Sequence, residues 1–291
     1  MRLLQLLFFI GCSNILFAQD NSLLWEIEHQ ETQQKSYIFG TIHLIPESYF
    51  NISDSLIYCI DVAEEIYLEI NLDKINDLLE ISDLLSELIM PNGILLSQLL
   101  SEEEFKQVQS KMEEMNIPLF FYNKIQPMFL ATYIHLNENS DIKKEDVQQT
   151  VSYDMEINKI ALSKDKPIKG LESIDFQLKL LNCIPLKEQA KYLVSEINNE
   201  LEQNNQQNLF EVYKNQDLEL LKELIADPNI PEQFDELMLD KRNKNWVEQI
   251  KEIGKTKTCL YAVGAAHLIG ENGILQMLSE NGYSIRPMVN Y

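Results

Sequence analysis

The sequence predicts an α/β domain: a central mixed sheet with strands at both ends of the chain and a helical insertion or cap. Three observations predict it. Apolar runs of strand type stand near the start, at Lys35 to His43, and near the end, at Thr258 to Ala266. Two more, Glu65 to Ile70 and Pro167 to Leu171, are set among helical stretches. Most of the remaining chain carries apolar residues three and four apart, the spacing of an amphipathic helix.

Taken in order, Leu23 to His29 alternates as a strand, Glu31 to Gln34 is a polar turn, and Lys35 to His43 returns, which makes a hairpin. Pro46 breaks the chain. Ser53 to Ala63 places Leu56, Ile57, Ile60 and Ala63 on one helical face, and Glu65 to Ile70 is a strand. From Asn71 the pattern is helical, with Ile75, Leu78, Leu79 and Leu85 in register. Ser101-Glu102-Glu103-Glu104 has the form of a capping box, opening a helix that runs through Phe105 to Met115 and ends at Asn116-Ile117-Pro118. Asn123 to Leu136 is a helix with Pro127 in its first turn, and Asn137 to Glu145 is polar and exposed. Val151 to Ser163 is a helix and Pro167 to Leu171 a strand. Helices follow at Ile174 to Cys183, Leu186 to Glu202, Asn208 to Ile225 and Pro231 to Ile253. The Asn- and Gln-rich tract Glu200 to Asn208 reads as a turn or frayed end. Thr258 to Ala266 is a buried strand, Gly273 to Glu280 a short helix and Tyr283 to Met288 a last strand. The cap therefore spans 71–165 and 174–253. No linker rich in Pro, Gly or Ser divides residues 20–291, which read as a single domain.

The chain has 291 residues, 45 % of them hydrophobic, enough for a sizeable core. Its net charge of -22 argues against nucleic acid and anionic membrane surfaces as partners, since both need a basic face. The basic start Met1-Arg2, the apolar run Leu3 to Ile10 and the small residue Ala18 read as a secretory leader over 1–19, cut near Ala18 or Gln19. The alternative is lipoprotein processing at Phe9-Ile10-Gly11-Cys12, with the chain anchored through Cys12. Either way the mature chain is exported, periplasmic or secreted, with no transmembrane segment, and its oligomeric state is left open. Past the leader, Cys59, Cys183 and Cys259 are too few and too far apart for a disulfide framework or a thiolate zinc site. Cys59 and Cys259 read as buried thiols.

Two short motifs carry the chemistry. Phe39-Gly40-Thr41-Ile42-His43 and Val263-Gly264-Ala265-Ala266-His267 each end an apolar strand in Gly-x-x-His. Open α/β sheets bind ligands at the C-terminal ends of their strands. Two such ends side by side would make a two-histidine site, the usual start of a transition-metal centre. The alternative is two histidines that satisfy local backbone groups. Glu69, near the end of Ile66-Tyr67-Leu68-Glu69-Ile70, is a third ligand if it points inward, or a solvated carboxylate if alternation turns it out. Glu172 follows a strand and is a ligand, a proton carrier, or a first-turn glutamate favoured by the helix dipole. Arg242, with Asn243, Asn245 and Trp246, stabilises an oxyanion or holds a carboxylate, or is an exposed helix cation. Trp246 and Tyr261 read as core. His29 and His135 read as surface or capping residues. The chain has no His-Glu-x-x-His helix, Gly-x-Ser-x-Gly elbow or Gly-rich phosphate loop.

The two motifs, with Tyr67-Leu68-Glu69, Lys166-Pro167-Ile168-Lys169-Gly170-Leu171-Glu172, Arg242-Asn243-Lys244-Asn245-Trp246 and Gly273, occur in an order that resembles the TraB/PrgY/GumN family. That family includes the Tiki metalloproteases and is distantly similar to erythromycin esterases. The resemblance implies a divalent-metal-dependent hydrolase, a peptidase. It would hold Mn, Co, Zn or Fe through His43, His267 and Glu69, with Glu172 moving protons and Arg242 stabilising developing charge. It also places Asp154 at an acidic position of the family. The alternatives are a non-catalytic protein that sequesters peptides, and an esterase-like hydrolase of small molecules that uses His43 as a base without metal. One departure stands in the cap, where Met128 follows Lys124 and Pro127 at a position usually aromatic in the family.

Overall fold

The structure is a computed structural model that describes residues 21–71, 85–138, 150–198, 202–226, 229–231 and 233–289. The leader with Cys12, the helical positions Ile75, Leu78 and Leu79, most of the polar tract after Asn137, and the side chain of His135 lie outside the described residues. Among the described residues eight strands form two sheets. These are β1 (Leu24–His29), β2 (Lys35–Thr41), β3 (Ile45–Pro46), β4 (Glu65–Ile70), β5 (Thr150–Val151), β6 (Ile168–Glu172), β7 (Cys259–Gly264) and β8 (Tyr283–Pro287). The main sheet has six strands in the order β6-β4-β7-β2-β1-β8. Its first four members are parallel, and β1 and β8 close one side antiparallel, so the sheet is mixed and takes strands from both ends of the chain. This is the α/β architecture expected.

The order of strands follows from burial. β7 is Cys259-Leu260-Tyr261-Ala262-Val263-Gly264, buried along its first five residues, as a parallel strand covered on both faces must be. It lies between β2 and β4, pairing Thr41 with Gly264 on one side and Leu68 with Ala262 on the other. β6 continues the sheet, with Ile70 opposite Glu172. The ends of β2, β7, β4 and β6 therefore share one edge.

Helices cover the sheet. Asp54–Val62 connects β2 to β4; it starts at Ser53, whose hydroxyl accepts from the Leu56 amide, and buries Leu56, Cys59 and Ile60. Ser152 and Ser173 cap Tyr153–Ser163 and Ile174–Asn182 in the same way. The capping box at Ser101 and Glu104 forms as expected, opening Glu102–Glu114. Part of the helical stretch builds a cap with its own core: Met90, Leu96, Val108, Met112, Leu130, Ile134 and Leu193 pack together there. The rest lies on the sheet. Tyr153, Ile157, Phe210, Tyr213, Leu221, Trp246 and Ile250 join the main core with the strands.

Three details differ from the expectations. The tract beginning at Glu202 is helix, Glu202–Lys214, and not a turn. Burial of Phe210, Val212 and Tyr213 at its C-terminal end holds the polar first turns in place. The helix predicted to run from Asn208 to Ile225 divides at Gln216, whose φ is +60°, and restarts at Leu218 with Asp217 as cap. Before Lys241–Ile253 the chain makes a π-helical turn, Glu236–Asp240, a form that tends to mark functional sites. Cys59 and Cys259 are buried as expected, and Cys183 is exposed. No helix among the described residues is long and apolar enough to cross a membrane.

Candidate functional site

Two glycines set the approach of the motifs. A Cβ added at Gly40 would stand 2.8 Å from Leu268 Cδ1 and 3.1 Å from Ala265 Cα, so the first motif lies directly against the second. A Cβ at Gly264 would stand 3.2 Å from Glu69 Oε1. The missing side chain lets the Gly264 amide donate to that oxygen at 2.8 Å. The hydroxyl of Tyr213 donates to the Gly40 carbonyl at 2.7 Å, fixing the first motif from behind.

Glu69 points inward. It shares a face of β4 with Tyr67 and Glu65, and its side chain is 9 % exposed. Arg242 reaches it from the second residue of Lys241–Ile253: Nη2 donates to Glu69 Oε2 at 2.5 Å. Arg242 Nε donates to Glu172 Oε1 at 2.8 Å, and Nη1 donates to the Met238 carbonyl at 2.8 Å. One guanidinium thus lies between two buried carboxylates, with its plane over the Trp246 ring at 4.6 Å. Gln177 Nε2 bridges the same pair, at 2.8 Å to Glu172 Oε1 and 3.3 Å to Glu69 Oε2. Trp246 Nε1 donates to Glu172 Oε2 at 3.0 Å.

The two motif histidines have different settings. His267 lies in the short turn Ala265–Leu268 after β7 and is buried, its ring 4.4 Å from that of Trp246. Its Nε2 is 3.1 Å from Arg242 Nη1 and 3.7 Å from Glu69 Oε1, and its Nδ1 is 2.6 Å from Asn243 Oδ1. His43 lies two residues past β2, with a side chain 72 % exposed. Its Nδ1 is 3.4 Å from Asp154 Oδ2, and Thr41, inside the same motif, donates its hydroxyl to Asp154 Oδ1 at 3.3 Å.

The electrostatics follow this geometry. Burial pushes the His267 ring down to about 3; Glu69 opposes the shift, while Arg242 and His43 add to it. His267 is therefore neutral near pH 7. The Asp154 carboxylate is the main cause that lifts His43 to about 9, with crowding by the protein opposing and Glu69 adding. Burial alone would raise Glu69, but the charges of His267, Arg242 and His43, with the Gly264 amide, hold it well below the usual carboxylate range. Because His267 is neutral, Arg242 and the protonated His43 are the charges that hold Glu69 down near pH 7. Burial raises Glu172, with Arg242 and Gln177 opposing.

Of the residues named from the sequence, the structure brings Glu69, Glu172, Arg242 and His267 into one hydrogen-bonded cluster and sets His43 at its open side beside Asp154. Sequence reasoning missed Gln177, the indole donor of Trp246 and the contact of Asn243 with His267. Trp246 is fully buried, as a core residue should be, and serves the site from there. The Arg-Asn-x-x-Trp spacing was the available signal: Arg242, Asn243 and Trp246 fall at helical spacing on one face.

A family model described as the TraB/PrgY/gumN family matches residues 23–287. The chain belongs to this family. Comparison with curated proteins and with solved structures gave no match.

The resemblance to metalloproteases of this family implies a divalent metal. Among the described residues no three His, Cys, Asp or Glu side chains already enclose a common point. Two do stand at a chelating separation. Ligand atoms about 2.0 to 2.2 Å from one ion at a tetrahedral angle lie roughly 3.3 to 3.6 Å apart. His267 Nε2 and Glu69 Oε1 are 3.7 Å apart. His267 has Nδ1 against the Asn243 oxygen, which leaves Nε2 as the nitrogen for a ligand, whereas His43, protonated near pH 7 beside Asp154, would give up a proton to bind an ion. The outer-shell pattern of His267 is usual for metal-binding histidine. The donor chemistry of His267 Nε2 and Glu69 Oε1 suits a divalent ion.

Proposed function

We propose that this protein is a divalent-metal-dependent hydrolase acting on peptides, with Mn, Co, Zn or Fe held by His43, His267 and Glu69. The observation that supports it best is the pairing of β2 with β7. This pairing sets the two Gly-x-x-His ends side by side above a buried carboxylate. Held by those residues, a divalent ion would supply a bound water of lowered pKa and a Lewis acid for a carbonyl.

The chain's own residues supply the rest. Arg242 is held by two carboxylates and a backbone carbonyl, so its guanidinium is fixed before substrate arrives and stabilises negative charge that develops beside it. Glu172 accepts three hydrogen bonds and its side chain is 2 % exposed. In this reading it orients Arg242 and Trp246, in place of the proton transfer expected from the sequence. His43, on the open side and backed by Asp154, meets the substrate first. Peptide as the substrate rests on the family resemblance alone. Export through a leader at 1–19, to the periplasm or outside, belongs to the same proposal.

The test is the metal content of the purified mature protein, wild type beside His43→Ala and His267→Ala. Near-stoichiometric metal in the wild type, lost in both variants, is the expected result. No metal after reconstitution, with both variants folded, would sink the reading. The His43–Asp154 pair favours one second reading, a metal-independent esterase in which His43 is the base; since Asp154 lifts His43 to about 9, that activity would rise with pH toward that value and would survive chelation.

A further inference from the structure

Asn243 is buried and touches His267 twice. Its Nδ2 donates to the Asn272 carbonyl at 2.8 Å and to the His267 carbonyl at 3.3 Å. A carbonyl oxygen only accepts, so these two partners fix the amide, nitrogen toward the loop and Oδ1 toward the ring. Oδ1 stands 2.6 Å from His267 Nδ1. An amide oxygen also only accepts, so Nδ1 carries the hydrogen. On the far side Arg242 Nη1, which can only donate, lies 3.1 Å from Nε2. A hydrogen on Nε2 would oppose that donor, so Nε2 keeps its lone pair. Polar contacts on both sides of the ring thus agree on one neutral tautomer. Asn272 Nδ2 in turn donates to Asp240 Oδ2 at 2.8 Å, tying the loop after the second motif back to the helical turn just before Asn243.

We propose that Asn243 is a positioning residue. It holds His267 as the Nδ1–H tautomer and presents the Nε2 lone pair on the Glu69 side, which selects the ring for a cation in advance. The tautomer stands on the hydrogen bonds alone. Its use for a cation rests on the metal-dependent reading above.

The experiment is nitrogen-15 NMR of histidine-labelled, metal-free protein near neutral pH, with His267 assigned by its loss in His267→Ala. Wild type should show a pyrrole-type Nδ1 and a pyridine-type Nε2. Asn243→Ala should lose that single pattern, and Asn243→Asp, which keeps an acceptor, should retain it. Titration with Zn(II) should be about 10- to 100-fold weaker for Asn243→Ala, the usual cost of losing an outer-shell partner. An Nε2–H pattern in wild type, or an unchanged pattern in Asn243→Ala, overturns the proposal. If Asn243→Ala does not fold, the wild-type spectrum decides the tautomer, and loss of the pattern in Asn243→Asp overturns the role of the acceptor. An Nδ1–H wild type that binds no ion would leave this assignment intact and remove the metal-dependent reading instead.

Discussion

Strand β4 carries two buried glutamates four residues apart on one face, Glu65 at its start and Glu69 near its end, and the protein neutralises them in different ways. Glu65 takes hydrogen bonds from Lys169, Lys257 and Tyr67. Both lysines reach solvent, with side chains 47 % and 41 % exposed. Glu69 takes its bonds from the buried Arg242, from Gln177 and from a backbone amide. The first arrangement lets water and lysine share the charge. The second fixes its donors in advance and makes Glu69 depend chiefly on the buried Arg242, with a histidine lone pair beside it. The same strand thus has a solvated ion pair at one end and a preorganised site at the other.

The sharpest way to break this comparison is Arg242→Met, which leaves Glu69 and Glu172 buried together without a cation. Removing one partner of a buried pair costs about 3 to 5 kcal/mol. Urea melts of metal-stripped protein at neutral pH should show a loss of that order, and a smaller one in acid, where the carboxylates take up protons. A loss below about 1 kcal/mol would place Glu69 in the same class as Glu65.

Next in size is the acid dependence of Glu65. Burial pushes this carboxyl up, but Lys257, Lys169 and Tyr67 bring it down to about 2. In the unfolded chain it ionises near the ordinary value of about 4.3. As pH falls, the unfolded chain therefore takes up its proton first, and folding loses stability. Screened by water at the two half-exposed lysines, the contribution is about 1 kcal/mol, complete above about pH 5 and gone below about pH 2. Melts of Glu65→Gln against wild type across that window should converge as the pH drops; a constant difference would assign the depression to another group.

The smallest effect belongs to Lys257→Met. Lys169 remains to pair with Glu65, so the loss should stay under about 1 kcal/mol. It should shrink further in 1 M salt, where charges are screened beyond about 3 Å. The Arg242 cluster, closed to solvent, should hold its stability under the same salt. An equal salt response at both ends of β4 would erase the distinction.

The sequence made the ends of strands legible because apolar runs that stop in glycine signal a buried strand directly. It also marked Glu69, Glu172 and Arg242, chiefly through the order of motifs that resembles the family, since each taken alone also reads as a solvated or helix-end charge. Gln177 and Tyr213 carry no such mark: an amide on a helix and a tyrosine among apolar neighbours look ordinary until the fold brings Glu172 and Gly40 within reach. The pairing of β3 with β5 was equally hidden, because two residues give no period to read. Helix Glu202–Lys214 was misread because Asn and Gln weaken its first turns, and only tertiary packing further along compensates.

The position of β7 has a consequence for how the molecule comes to exist. β2 and β4 never pair with each other; each pairs with β7, which is made last of the three. The bond between the Cys259 amide and the Ser36 hydroxyl spans 223 positions of chain. Closures this long are slow, because chain entropy is lost before the contact forms. Until about the final tenth of the polypeptide is available, the edges of β2 and β4 that face β7 have no partner, although β1 and β6 can pair with their other edges. The chain therefore acquires its candidate active site and its complete sheet in the same late event.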